Sequence, residues 1–356
     1  MTRPKSMLAA ILGYVDRYFF WVIVASYFAA AGFPALGLWI RHANLGQVRV
    51  FHNTLDVSLP LLMLASLLFN AGLGVKTGEL KHLVRRPWPL LSGQVANLVT
   101  PLAFIIGLSF LMKLWHNPNE VQQILVGLAL VASMPIAGAS TAWAQNANGN
   151  LALSLGLVLL TTMLSPMLTP LVLHAVGFVT TGDYSEDLHE LASGGVGAFL
   201  AVWVILPSAL GILVHGVLGD KRVNFIKPVL KAANYAVLAL LNYANASLSL
   251  PGVLSRPDFD FLTVMVAIAV SLCFLAFASG YLVAALLKTD RDSMVSLTFG
   301  LGMNNNGTGL VLASVALADH PQVMLPIIFY NLVQHLVASG VIALFFSRPR
   351  HDRIAS

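Results

Sequence analysis

Apolar runs about 20 residues long recur along almost the whole chain, which is the length an α-helix needs to cross the hydrocarbon of a bilayer. Ten are read, at 18–40, 55–75, 87–112, 121–144, 151–176, 191–218, 228–250, 261–287, 294–317 and 321–346. A water-soluble fold is excluded by the same feature. Only 10% of the residues are charged, against roughly 25% in soluble domains, so most of the apolar surface has to face lipid. The opening 1–17 has a basic start and a short apolar patch without a small-residue cleavage site, and it reads as an interfacial lead-in helix rather than a signal peptide.

The basic residues set the orientation. With the N-terminus inside, Arg3, Lys5, Arg17, Lys76, Lys81, Arg85, Arg86, Lys221, Arg222, Lys227, Lys231, Lys288, Arg291, Arg348, Arg350 and Arg353 all fall on one side. Only Arg41, Arg49, Lys113 and Arg256 fall on the other. The positive excess marks the cytoplasm, so both termini are expected there, in a multi-pass protein of the bacterial inner (plasma) membrane. The loop 182–190, with Asp183, Glu186, Asp187 and Glu190, then lies outside. It divides the chain into a first repeat (18–181) and a second (191–346), followed by a cytoplasmic tail (347–356). Because five spans is an odd number, the second repeat must be inserted upside down. The expected fold is therefore an all-α membrane protein, ten transmembrane helices forming a five-plus-five inverted repeat.

Two of the runs are interrupted. PIAGASTAWAQNANGN (135–150) lies at the end of the fourth, and GLGMNNNGTG (300–309) lies inside the ninth. Backbone unwinds at membrane depth only where protein or a polar cavity shelters it. A matched pair of such interruptions in two inverted halves points to a transporter's binding site. If the fourth and ninth helices break and cross, helix N-termini there favour anions and unwound carbonyls favour cations. The alternative is that the glycines only permit close helix packing. The consecutive Asn304, Asn305 and Asn306 weigh against it, since they cannot share one helical face and an unpaired amide in apolar surroundings costs roughly 2–7 kcal/mol.

The acids narrow the chemistry. Fourteen of the fifteen Asp and Glu fall in loops or at span edges, and Asp56 sits one residue into the second span. A proton-driven carrier usually holds a carboxylate at mid-membrane, so a coupling cation here has to be held by neutral oxygens, which suits Na⁺. His335 is the one titratable group deep in a span, either a pH sensor or, more ordinarily, a neutral hydrogen bonder. Gln94 can reach an ion or tie two helices together. Ser154, Thr161, Thr162 and Ser165 are expected mostly to bond back to their own helix. Tyr235, Asn242, Asn245 and Ser249 form a stripe that either lines a cavity or joins two helices. Cys273 is a packed small hydrophobe. No H-E-x-x-H or G-x-S-x-G pattern supports an enzyme.

The stretches LASLLFNAGLGVKTGEL (64–80), 135–170, FGLGMNNNGTGL (299–310) and NLVQHLVASG (331–340) resemble the bile acid:sodium symporter family, in this order and over nearly the whole chain. The resemblance implies a mobile core holding the crossed helices, a panel made of spans one, two, six and seven, and Na⁺-coupled uptake of organic anions by alternating access. Carried over, the first sodium site maps to Ser140, Thr141, Ser154, Val158 and Gly300. The second maps to Gln94, Gly300, Leu301, Met303 and Asn304, with Leu301 and Met303 acting through their carbonyls. The family's shared acidic ligand falls on Gly300 and is absent, an asparagine is replaced by Thr141, and a threonine by Val158. At most one sodium ion, or none, is expected in consequence, because two around one anion would leave unbalanced charge in low dielectric. Gly138, Asn242, Asn305, Asn306, Thr308 and His335 are the candidate substrate-binding residues. The expected partners are a small organic anion or amphipathic carboxylate and the lipid bilayer, with no nucleic acid, no obligate protein partner and no cofactor beyond Na⁺ as the coupling ion. The competing expectation is a sodium-independent uniporter, exchanger or pH-gated carrier of the same fold, or a non-transporting sensor.

Overall fold

The structure, a computed structural model, describes residues 7–50, 53–75 and 87–346, with backbone alone for 7–17, 48–50 and 53–56. Arg3, Lys5, Lys76, Lys81, Arg85, Arg86, Arg348, Arg350 and Arg353 lie outside the described residues, as does the tail 347–356.

Helix α1 (Met7–Gly32) runs without a break through the boundary expected at Arg17. The chain then turns by 96° into α2 (Ala35–His42). Pro34 sits at the turn, where it brings no N–H to continue the helix. An antiparallel hairpin follows, β1 (Asn44–Val50) with β2 (Asn53–Ser58). It corrects the expectation of a span beginning at residue 55. Asp56 lies in a strand, and α3 (Leu59–Leu73) starts only after Ser58, with Pro60 in its first turn.

Helix α4 (Trp88–Leu111) leads to α5 (Pro118–Ser133), which starts where the Asn117 side chain accepts the Asn119 N–H at 3.1 Å. After the first interruption come α6 (Ala139–Asn146) and α7 (Leu151–Gly177). The acidic segment expected as a loop is helical, α8 (Asp183–Gly194), with Leu188 buried under its charged face. Helical structure then extends from Val196 to Ala246 (α9). It is divided only at Gly219, whose φ of 74° and ψ of 161° interrupt the helix at a position where a side chain would be strained. The expected loop before Lys227 is thus mostly helical. Helices α10 (Leu250–Ser255), α11 (Phe259–Leu286), α12 (Arg291–Gly302), α13 (Asn306–Ala316) and α14 (Met324–Val341) complete the described chain.

Five described helical stretches are long and apolar enough to cross a membrane singly, and six if the bent α1–α2 pair counts as one span. Helices α3, α5, α12 and α13 are shorter. Two packing groups emerge from the contacts. In one, α9 is surrounded by α1, α2 and α3; in the other, α11 packs on α4, α12 and α14, while α7 packs on α4 and α5. Within the first group, α3 and α9 approach at two glycines. A Cβ on Gly72 would lie 2.0 Å from the Ser208 carbonyl oxygen, and one on Gly211 would lie 2.1 Å from that of Phe69. Backbone meets backbone there, as small residues allow between helices in lipid. Gly216 of the same helix has nothing within 4 Å. Gly72→Val and Gly211→Val are expected to abolish the monodisperse protein peak in detergent, and Gly216→Ala to leave it unchanged. A monodisperse Gly211→Val protein with wild-type Tm would show that the contact is not required.

Candidate functional site

The two interruptions meet. At the first, Pro135 can supply no N–H to the Val131 carbonyl, so α5 stops at Ser133. At the second, α12 stops at Gly302 and α13 starts at Asn306. Ile136 and Asn304 form an isolated antiparallel bridge. The Ala137 N–H donates to the Met303 carbonyl at 2.9 Å, and the Asn305 N–H donates to the Pro135 carbonyl at 2.9 Å. Neighbouring side chains satisfy several further freed groups. The Ile136 N–H goes to Thr161 Oγ1 at 3.1 Å, the Asn304 side-chain amide donates to the Val131 carbonyl at 2.9 Å, and the Asn304 N–H goes to Gln334 Oε1 at 3.2 Å. The Thr169 hydroxyl donates to the Ser133 carbonyl at 2.7 Å. Most α7 hydroxyls do bond to their own helix: Thr161 to Leu157, Thr162 to Val158 and Ser165 to Thr162.

Of the first candidate cation site, the structure assembles the hydroxyls alone. Ser154 Oγ donates to Thr141 Oγ1 at 3.1 Å, and Ser140 Oγ is buried without a partner. The surroundings of Gly300 are hydrocarbon. A Cβ on Gly300 would lie 3.1 Å from Leu157 Cδ1 and 3.9 Å from Ile136 Cδ1. Those two side chains form an apolar cluster with Leu153, Leu297 and Leu301, against which Val158 packs. Neutral hydroxyls, with hydrocarbon at Gly300 in place of a charged oxygen, do not fit a dehydrated cation.

The second site fits better. Gln94 Oε1 and Asn304 Oδ1 are both buried without partners. Gln94 lines a cavity of about 20 Å³ with Asn97, Met134, Pro135, Thr161 and Ser165, room for one water-sized group. Gly93, beside it, faces Leu157, Leu297 and Leu301. The Leu301 carbonyl has lost its usual helical donor, because the Asn305 N–H is spent on Pro135, whereas the Met303 carbonyl already accepts from Ala137.

Among the candidate substrate residues, Gly138 opens α6 with nothing within 4 Å of a built Cβ. Asn305 is structurally occupied, its Oδ1 accepting the Thr308 N–H at 3.3 Å to cap α13. Asn306 and Thr308 are buried with their side-chain polar atoms unpartnered. His335, half-buried on α14, has its ring 6.3 Å from that of Trp143 on α6, which in turn stacks at 6.4 Å on Phe299. Asn242 is buried on α9, and a hydrogen-bonded chain ties it to the crossing. Tyr27 Oη donates to Asn242 Oδ1 at a long 3.5 Å and accepts from the Asn331 amide at 2.8 Å, and the Gln334 amide donates to Asn331 Oδ1 at 3.2 Å. Gln334 Oε1 holds the Asn304 N–H. Sequence reasoning missed Tyr27, Trp143, Asn331 and Gln334; two amides three residues apart in an apolar helix, sharing a face, were the available signal.

The buried polar atoms without partners are concentrated. Among the described residues, apart from Gln94 and Ser140, such side-chain atoms belong to Arg41, Ser58, Asn242, Asn245 and Ser249 on one packing group, or to Asn304, Asn306 and Thr308 at the crossing. Helix α13 packs on α3 and α9 between the two sets.

Comparison with known proteins agrees with this architecture. The chain is 26% identical over 333 residues to the "Uncharacterized sodium-dependent transporter YocS" of Bacillus subtilis (strain 168), covering 92% of this chain and 90% of that protein. It is 25% identical over 289 residues to the "Probable sodium/metabolite cotransporter BASS1, chloroplastic" of Oryza sativa subsp. japonica, covering 79% of this chain and 64% of that one. The profile of the Sodium Bile acid symporter family matches residues 61–256, a span that includes the first interruption and the stripe on α9. The family's members are transporters rather than enzymes. A multi-pass membrane protein whose two broken helices pair through their own backbone, the chain belongs to the Sodium Bile acid symporter family.

Proposed function

We propose that the protein is a secondary active transporter that moves a small organic anion or amphipathic carboxylate by alternating access. In this reading ten spans form a five-plus-five inverted repeat with cytoplasmic termini. The group α1, α2, α3 and α9 is the panel, and the group containing the crossing is the mobile core. The observation that carries the reading is the seam of unpartnered polar atoms between them. A buried polar group without a partner costs roughly 1–3 kcal/mol, so a face lined with such groups is costly to keep dry. A face built at that cost makes sense if it meets water and solute when the core swings away. Asn306, Thr308 and Asn242 would then contact the solute, with Gly138 and the neighbouring turn of α6 leaving backbone accessible and His335 beside Trp143 bounding the cleft.

At most one Na⁺ accompanies the solute, held by Gln94, Asn304 and the Leu301 carbonyl. Leu157 and Ile136, standing where oxygens would be needed beside Gly300, weigh against a second ion and are the observation favouring the sodium-independent alternative. Solute uptake by reconstituted protein is expected to saturate with sodium as a single site and to lose most of its sodium dependence in Gln94→Leu; cooperative two-ion coupling would falsify the assignment.

Adding the family's carboxylate back tests the same electrostatics from the other side. Gly300→Glu alone is expected to destabilise the protein, because an ionised carboxylate forced against leucine lacks partners. Combined with Leu157→Ala it should raise the apparent sodium affinity, read as a sodium-dependent Tm shift; a double variant indifferent to sodium would sink this account of the missing ligand. His335→Gln is expected to preserve sodium coupling. Loss of a pH-dependent component of uptake in that variant would instead favour the pH-gated carrier.

A further inference from the structure

Arg41 has no role in the transport cycle described so far, and its surroundings are unusual for a guanidinium. It sits in the last turn of α2, half-buried, at the end of the bundle that the distribution of basic residues places outside. Its Nη2 donates to the Ser314 carbonyl in the last turn of α13, and its Nε is buried without a partner. No carboxylate among the described residues pairs with it; the described ion pairs all involve histidines. Among the described residues, this positive charge is therefore hydrogen-bonded to a neutral carbonyl and to no carboxylate. Helix α2 packs on α3 and α9, and α13 packs on the same two helices, so the bond bridges the panel and the crossing. The unpartnered Ser58 hydroxyl lies at the start of α3, and the unpartnered Asn245 amide and Ser249 hydroxyl lie at the end of α9 or just beyond it.

We infer that Arg41 is an anion-operated latch that holds the outer face closed through the Ser314 carbonyl and opens by exchanging that carbonyl for the carboxylate or sulfonate of the incoming solute. The inference rests on the organic-anion reading above. Its physical basis is a difference in bond strength. A hydrogen bond between two ions is stronger than one from an ion to a neutral carbonyl, and a guanidinium fork donates two parallel bonds to a carboxylate. Ser314 offers a single oxygen and leaves Nε unused. A solute anion satisfies the idle donor as well, so it binds the released state better than the latched one and shifts the population towards opening. The Ser314 carbonyl then finds water at the end of α13, where helix carbonyls are free to be solvated.

The test uses full-length protein carrying Cys273→Ala, which removes the chain's single cysteine, and Ser249→Cys as a reporter of the seam. Maleimide labelling of this protein in detergent is expected to rise roughly tenfold in Arg41→Met, the effect of losing about 1.4 kcal/mol of closure. Arg41→Lys retains a long cation that reaches a carbonyl, guards against a misfolded Met variant, and should label near the wild-type rate. Taurocholate, an amphipathic sulfonate, serves as the solute in proteoliposomes. Its uptake should fall about tenfold in both variants, because neither presents the fork. Wild-type labelling in Arg41→Met, or wild-type uptake in Arg41→Lys, overturns the proposal. Wild-type protein that moves neither taurocholate nor any small carboxylate rejects the transport reading instead, and the labelling rates still decide the latch.

Discussion

Backbone hydrogen bonding at a place without water is the constraint on which this molecule depends. Breaking a helix in a bilayer frees carbonyl and N–H groups that cost several kcal/mol apiece if left bare. Here two breaks satisfy each other, through the Ala137 N–H to Met303 and the Asn305 N–H to Pro135. Three more freed groups are taken up by Thr161, Gln334 and the Asn304 side chain. A third helix thus supports each break, α7 the first and α14 the second. The crossing is a small piece of antiparallel strand held in a helical cage.

The same economy explains why the site is built from amides and hydroxyls rather than acids. An ionised carboxylate beside Gly300 would need counter-charge, and the neighbouring Leu157, Ile136 and Leu301 offer none. That space is filled with hydrocarbon instead, and the buried oxygens of Gln94 and Asn304 are neutral.

The chain from Asn242 through Tyr27, Asn331 and Gln334 to the Asn304 N–H deserves the same physical reading. It crosses from the α1–α9 packing group to the second break through hydrogen bonds alone. Its weakest link is the 3.5 Å contact of Tyr27 with Asn242, at the limit of a useful hydrogen bond. That contact lies within the α1–α9 group, whereas the link between the two groups, from the Asn331 amide to Tyr27 Oη, is short at 2.8 Å.

Much of this was legible in the residues. Long apolar runs fixed the helical membrane class, and Pro135, Gly302 and three consecutive asparagines marked both breaks, because proline removes a donor and asparagine amides cannot be left dry in a helix. Other features depend on neighbours that are remote in sequence. No local pattern says that residues 53–58 pair as a strand with 44–50, that 183–194 folds onto the bundle as a helix, or that a basic stretch after Gly219 stays helical. The sequence by itself determined which backbone segments must leave the helix; tertiary structure alone decided who receives the freed groups. The Asn305 N–H bond to the Pro135 carbonyl, the leucine beside Gly300 and the Arg41 bond to Ser314 each join groups more than a hundred residues apart, and contacts of that kind are set by packing rather than by local propensity.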